Sequence, residues 1–111
     1  MKVEKPWGYE VRWAINDKYL GKILHINAGQ RLSLQYHEQK DETIYVLEGT
    51  CVVQLDGKTR IVSTGESLRI LPKQVHRFCA PDQNYVKLIE VSTPEIDDVV
   101  RLQDDYNREG T

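Results

Sequence analysis

At 111 residues the chain is long enough for one domain with its own core, residues 1–111, and too short for two. Apolar residues make up 40% of it and charged residues 29%, and a net charge of −2 leaves no electrostatic footprint for nucleic acid or an anionic membrane. No apolar run nears the roughly 20 residues that span a bilayer, and no apolar stretch follows the N-terminal lysines as in a secretion signal, so the cytoplasm is the expected compartment.

Strand signals dominate the chain in order. Alternating or β-branched stretches run over 9–15, 19–26, 31–37, 43–55, 59–63, 67–71, 76–79 and 85–92. Turn residues separate them at Asn16-Asp17, Asn27-Ala28-Gly29, Asp56-Gly57, Thr64-Gly65, Pro72 and Ala80-Pro81-Asp82. Asp56-Gly57 is the sharpest, because both residues tolerate positive φ; it predicts a two-residue hairpin joining 52–55 to 59–62. The acidic stretch 95–106, with Pro94 near its start, is expected to form one short helix or a latch. Eight or more short strands in about a hundred residues point to an all-β sandwich or closed barrel. Two cysteines, Cys51 and Cys79, make no disulfide framework and are expected to be reduced, buried thiols.

Residues two apart on a strand face the same side, so Arg31, Ser33, Gln35 and His37 are expected to share one face, with Leu32, Leu34 and Tyr36 on the other. Four polar groups do not line a dry core, since each left without a partner costs on the order of 1–3 kcal/mol. That face is either solvent or a polar cavity. Glu42 opens the next strand and can approach His37 if the two strands are neighbours; His76 opens a later one. Two imidazoles, a carboxylate and the Gln35 amide oxygen form a mixed N/O set suited to one divalent ion such as Zn²⁺, Mn²⁺, Fe²⁺, Co²⁺ or Ni²⁺. The alternative is a set of ordinary solvated or hydrogen-bonded side chains, which is the expectation for the third histidine, His25.

Residues 29–49 resemble the first cupin motif: a glycine, two ligands separated by one residue, a glutamate five residues later and a closing glycine. Gln35, His37, Glu42 and Gly49 take those places. Residues 65–80 resemble the second motif with His76 as its ligand, except that Pro72 sits one place late and Lys73 stands for the usual glycine. Lys5-Pro6-Trp7-Gly8-Tyr9, Arg31-Leu32-Ser33-Leu34-Gln35-Tyr36-His37 and the segment from Asp97 to Tyr106 resemble one branch more closely. That branch is the C-terminal phosphomannose isomerase domain of bifunctional mannose-1-phosphate guanylyltransferase/mannose-6-phosphate isomerases. The resemblance implies a cupin (double-stranded β-helix, jelly-roll) barrel and a zinc site of Gln35, His37, Glu42 and His76. It also implies isomerisation of mannose 6-phosphate to fructose 6-phosphate, within polysaccharide or nucleotide-sugar metabolism. The relatives usually follow their Gln-x-His with His-His-Arg-Ala-Glu-His; here Lys40 stands for the arginine and Thr43 for the trailing histidine.

For such a reaction the metal polarises the C1/C2 oxygens and a base moves a proton. Lys22, Lys40, Glu38 and Glu48 are the candidates for the base, while Arg31 and Ser33 are candidates for substrate contact. A non-catalytic sugar-phosphate-binding cupin is the first alternative; a two-histidine, one-carboxylate Fe²⁺ oxygenase is the second. Trp7, Trp13 and Tyr45, with the apolar face of 32–36, make a homodimer the expected state.

Overall fold

The computed structural model describes residues 1–108, and among them there is no helix, so none long and apolar enough to cross a membrane. Eleven strands run in chain order: β1 Lys2–Lys5, β2 Gly8–Ile15, β3 Leu20–Ile26, β4 Leu34–Tyr36, β5 Glu42–Glu48, β6 Thr50–Leu55, β7 Lys58–Ser63, β8 Ser67–Ile70, β9 His76–Cys79, β10 Val86–Ser92 and β11 Val100–Gln103. They form two antiparallel sheets, ordered β1-β2-β3-β10-β5-β8 and β11-β4-β9-β6-β7. The inner faces supply one apolar cluster, with Leu24, Ile26, Ile44, Val46, Val86 and Leu88 from the first sheet and Cys51, Val53 and Phe78 from the second. The all-β expectation holds. Cys51 is buried and Cys79 half-buried, and neither forms a disulfide.

Asp56 and Gly57 have φ of 49° and 80°, and Leu55 pairs with Lys58 across them, as the hairpin requires. The single run expected over 43–55 is split at Gly49, which sends β5 and β6 into different sheets.

The N-terminal Lys5-Pro6-Trp7-Gly8 turn has a steric cause. Trp7 is buried, and its carbonyl accepts from the Asn27 amide at 2.9 Å. This brings β2 so close to β3 that a Cβ on Gly8 would lie 1.9 Å from the His25 carbonyl oxygen, at a φ of +153°. Gly8→Ala is therefore expected to destabilise the protein by about 2–4 kcal/mol, measured by denaturant unfolding; a loss under about 0.5 kcal/mol would mean the strands separate without strain.

Two expectations need correction. The segment 95–106 is not helical: β11 pairs with β4 through Val100↔Tyr36 and Arg101↔Gln35. Arg77, fully buried on β9, donates from Nε to the Leu32 carbonyl at 2.9 Å and from a terminal nitrogen to the Gln103 carbonyl at 3.2 Å, tying this strand down. The second correction concerns 31–37, where regular strand covers only Leu34–Tyr36 and Arg31 makes an isolated bridge to Cys79. Alternation therefore does not run from Arg31 to His37. Leu32, placed with Leu34 and Tyr36 by parity, instead joins the buried cluster. Of the large apolar residues, Trp7 is buried while Trp13 and Tyr45 are exposed.

Candidate metal centre

Gln35 and His76 are paired across β4 and β9, His37 follows the end of β4, and Glu42 opens β5 on the facing sheet. The fold thus brings three ligand-type side chains from distant positions to one buried point. His37 Nδ1 donates to the Asp98 carbonyl at 2.5 Å, and His76 Nδ1 to the Gln74 carbonyl at 2.9 Å. With Nδ1 protonated in each ring, Nε2 is left as a lone pair. Those two nitrogens lie 3.5 and 3.1 Å from Glu42 Oε1, and one ligand atom from each of His37, Glu42 and His76 falls within 4.8 Å of the others. All three atoms are buried without a hydrogen-bond partner. Three acceptors turned on one another in a dry place repel unless a cation sits among them, so this set fits a divalent metal.

The charge around the site is managed by one lysine. Lys40 Nζ is buried 3.3 Å from Glu42 and 3.0 Å from Glu90. Burial disfavours its charge, but Glu90 and Glu42 outweigh burial and hold the amine well above its ordinary range. Burial likewise opposes the Glu42 charge, and the Lys40 ammonium 3.3 Å away works against burial, holding the carboxyl well below its ordinary range. Glu90 is pushed the other way, by burial and by repulsion from Glu42.

Beside this cluster opens a cavity of about 310 Å³, lined at that end by Gln35, His37, Lys40, Glu42 and Glu90. Ser33 also lines it and donates to Gln35 Oε1 at 3.0 Å, fixing that amide. The segment from Ile96 to Val99 forms one wall. Asp98 orders that wall: its carboxylate accepts from the amides of Glu38, Gln39 and Lys40 at 3.0, 2.8 and 3.0 Å. Burial works against the Asp98 charge, yet those three donors keep it below the usual carboxylate range.

The sequence match to the mannose-6-phosphate isomerase C-terminal family model extends over residues 1–104. The chain belongs to that family. Among its curated relatives, the alginate biosynthesis protein AlgA of Pseudomonas aeruginosa is 33% identical over 110 residues, 96% of this chain and 23% of AlgA. Mannose-1-phosphate guanylyltransferase of Escherichia coli K12 is 34% identical over 110 residues, 96% of this chain and 23% of that protein. The chain thus spans about a quarter of the length of these relatives. Solved structures with the same fold include KdgF from Halomonas sp. (TM-score 0.76, 20% identity, 87% of this chain and 88% of that one). An RmlC-like cupin from Shewanella frigidimarina is another (TM-score 0.71, 19% identity, 80% and 78%). The fold is a cupin.

In this member of the mannose-6-phosphate isomerase C-terminal family, several expected residues sit elsewhere than parity suggests. Arg31 lies outside the cavity, its guanidinium forked onto Asp105 at 2.8 and 3.0 Å, because the ladder is irregular between it and Gln35. Glu38 and Glu48 are exposed, Glu48 pairing with Lys87. Lys22 lines the cavity and pairs with Glu10 at 3.4 Å. His25 is stacked between Tyr9 and Tyr85, ring centres 4.8 and 4.6 Å away, apart from the ligand cluster. Glu90 and Glu10 escape the sequence reading, although one signal was present. Val86, Leu88, Glu90 and Ser92 share a parity, and so do Gly8 and Glu10, which places a carboxylate on an inward row of each strand.

Lys73, at the family's glycine position, adopts a φ of 70° and donates its amide to the His37 carbonyl at 2.6 Å. The turn therefore survives at a steric cost. Lys73→Gly is expected to be neutral or stabilising by up to about 1 kcal/mol in thermal unfolding, with metal content unchanged.

Proposed function

We propose that this chain is a metal-dependent sugar-phosphate isomerase of the mannose-6-phosphate isomerase type, interconverting mannose 6-phosphate and fructose 6-phosphate. The observation that carries the reading is the convergence of bare His37 Nε2, His76 Nε2 and Glu42 Oε1 beside a polar cavity of about 310 Å³. His37, Glu42 and His76, with Gln35 as a fourth donor, would hold the ion, and this imidazole–carboxylate set favours zinc. When bound, the metal supplies Lewis-acid polarisation of the substrate's C1 and C2 oxygens.

The chain's own groups supply the rest. Isomerisation takes a proton from C2 and returns it to C1, while a hydroxyl proton passes from O2 to O1. Among the carboxylates lining the cavity, Glu42 would be a ligand, Glu10 is held by three cations, Asp98 by three amides, and Asp97 is exposed to solvent. Glu90 faces the cavity next to the ligands without such a commitment beyond Lys40, and it is the group placed to carry the proton. Lys40, locked between two carboxylates, acts as a fixed counter-ion rather than a base.

One observation favours the second reading, a metal-containing sugar-phosphate binder without turnover. The Lys40 ammonium, standing for the relatives' arginine, is buried in ion pairs and offers the substrate no free charge. A coupled assay on mannose 6-phosphate, run with Zn²⁺, Mn²⁺ and Co²⁺, separates the two. Turnover with at least one metal is expected. Measurable sugar-phosphate binding with no turnover under any metal would replace the isomerase by the binder.

A further inference from the structure

The cavity is divided by charge. On the metal side stand Glu42, Glu90 and their counter-ion Lys40; on the far side Lys5, Arg12, Lys22, Arg101 and Arg108 line the wall. Successive pairings Ile44↔Glu90, Glu90↔Lys22 and Lys22↔Arg12 carry the sheet from β5 through β10 and β3 to β2. Two to three strand spacings separate β5, which carries Glu42, from the strands of Lys22 and Arg12, on the order of 10–15 Å.

Within the cationic half, one buried carboxylate serves three cations. Glu10 lies 2.7 Å from Arg12 Nε, 3.4 Å from Lys22 Nζ and 3.8 Å from Lys5 Nζ. Just past the end of β11, Asp104 pairs with Arg108 at 2.7 Å, and Arg101 lies on that strand. The Lys5 amine is pushed below its ordinary value by burial, which Glu10 only partly offsets, and by repulsion from Lys22, Arg12 and Arg101. Four cations from β1, β2, β3 and β11 therefore crowd one space, in a protein whose net charge is −2. Concentrated, partly desolvated positive charge of this kind raises the local concentration of anions and binds a doubly charged one best.

We propose that Lys5, Arg12, Lys22 and Arg101 form the subsite for the phosphate dianion of a sugar phosphate, with Glu10 holding the cations in position. The assignment rests on reading the cavity as a sugar-phosphate site, and it replaces Arg31, whose guanidinium is engaged by Asp105 outside the cavity. The sugar then spans from this wall to the metal ligands, with its carbonyl end away from the phosphate.

Isothermal titration calorimetry on the zinc-loaded protein tests this with mannose 6-phosphate, mannose and inorganic phosphate as probes. Mannose 6-phosphate is expected to bind at least tenfold more tightly than mannose and to be displaced by inorganic phosphate in the unmutated protein. Arg12→Gln and Lys22→Gln are each expected to weaken mannose 6-phosphate about tenfold to a hundredfold, the range for a hydrogen bond to a charged group, and to leave mannose binding unchanged. Arg31→Gln is expected to change neither. Equal affinity for the two sugars, no measurable binding of either, or a loss that follows Arg31→Gln would overturn the subsite. Phosphate-dependent binding that follows Arg12 and Lys22 in a protein without isomerase turnover upholds the subsite and sinks only the isomerisation.

Discussion

His76→Ala is expected to leave the purified protein without retained divalent metal, below about one tenth of an ion per chain, where the unmutated chain holds about one. His76 is fully buried, its Nδ1 is committed to the Gln74 carbonyl, and its Nε2 stands 3.1 Å from Glu42 Oε1. Removing that imidazole leaves His37 and Glu42 with Gln35, and the loss of one ligand from a mixed N/O site typically lowers affinity by several orders of magnitude. Elemental analysis after dialysis reads the outcome directly. The substitution also empties a buried space, so a second variant is needed to separate ligation from packing. His76→Gln keeps most of the volume and is expected to lose most of the metal as well, with a melting temperature close to that of the metal-free unmutated protein. Metal content unchanged in either variant would show that His76 is not a ligand.

The residues of the candidate centre were legible in the sequence because they follow a spacing: Gln35 and His37 two apart, Glu42 five residues on, and His76 opening a later strand. Their tautomers were not. The carbonyls that fix His37 and His76 belong to Asp98 and Gln74, and only the folded backbone brings Asp98 beside residue 37. The same non-local cause explains the tail. Residues 95–106 are polar enough to read as a solvated helix, but they meet β4, the buried Arg77 and the amides of Glu38, Gln39 and Lys40, and those partners make the tail a strand and a cavity wall. Strict alternation misplaced Arg31 because the ladder is irregular between residues 31 and 34, and a single irregularity reverses which side a residue faces. Glu10 and Glu90 passed unnoticed for a different reason. Each is one acid in an otherwise ordinary strand, and its value becomes visible only when Lys22 and Lys40 arrive from other strands and loops.

Lys40→Met is expected to destabilise the metal-free protein by about 3–5 kcal/mol, the usual range for removing one partner of a buried charge pair. The side chain is nearly fully buried, and its ammonium lies 3.3 Å from Glu42 and 3.0 Å from Glu90, both also buried. Methionine matches the volume of the lysine stem, so packing changes little and the effect reports the charge. Without the ammonium, two buried carboxylates are left with Lys22, itself paired with Glu10, as the remaining neighbouring cation. Glu90, already pushed upward by burial and by Glu42, takes a proton, and Glu42 keeps its charge only against the lone pairs of His37 and His76. In a protein of 111 residues a loss of this size lowers the melting temperature by roughly 10–25 °C. Zinc changes the comparison, since a divalent ion among His37, Glu42 and His76 restores positive charge beside Glu42. The deficit of the variant is therefore expected to shrink when both proteins are loaded with metal. Denaturant unfolding of the two proteins with and without zinc gives all four stabilities. A metal-free loss under about 1 kcal/mol would show that Lys40 is not the counter-ion that keeps the empty centre folded, and a deficit that grows on adding zinc would show that metal and lysine do not share the task of neutralising Glu42.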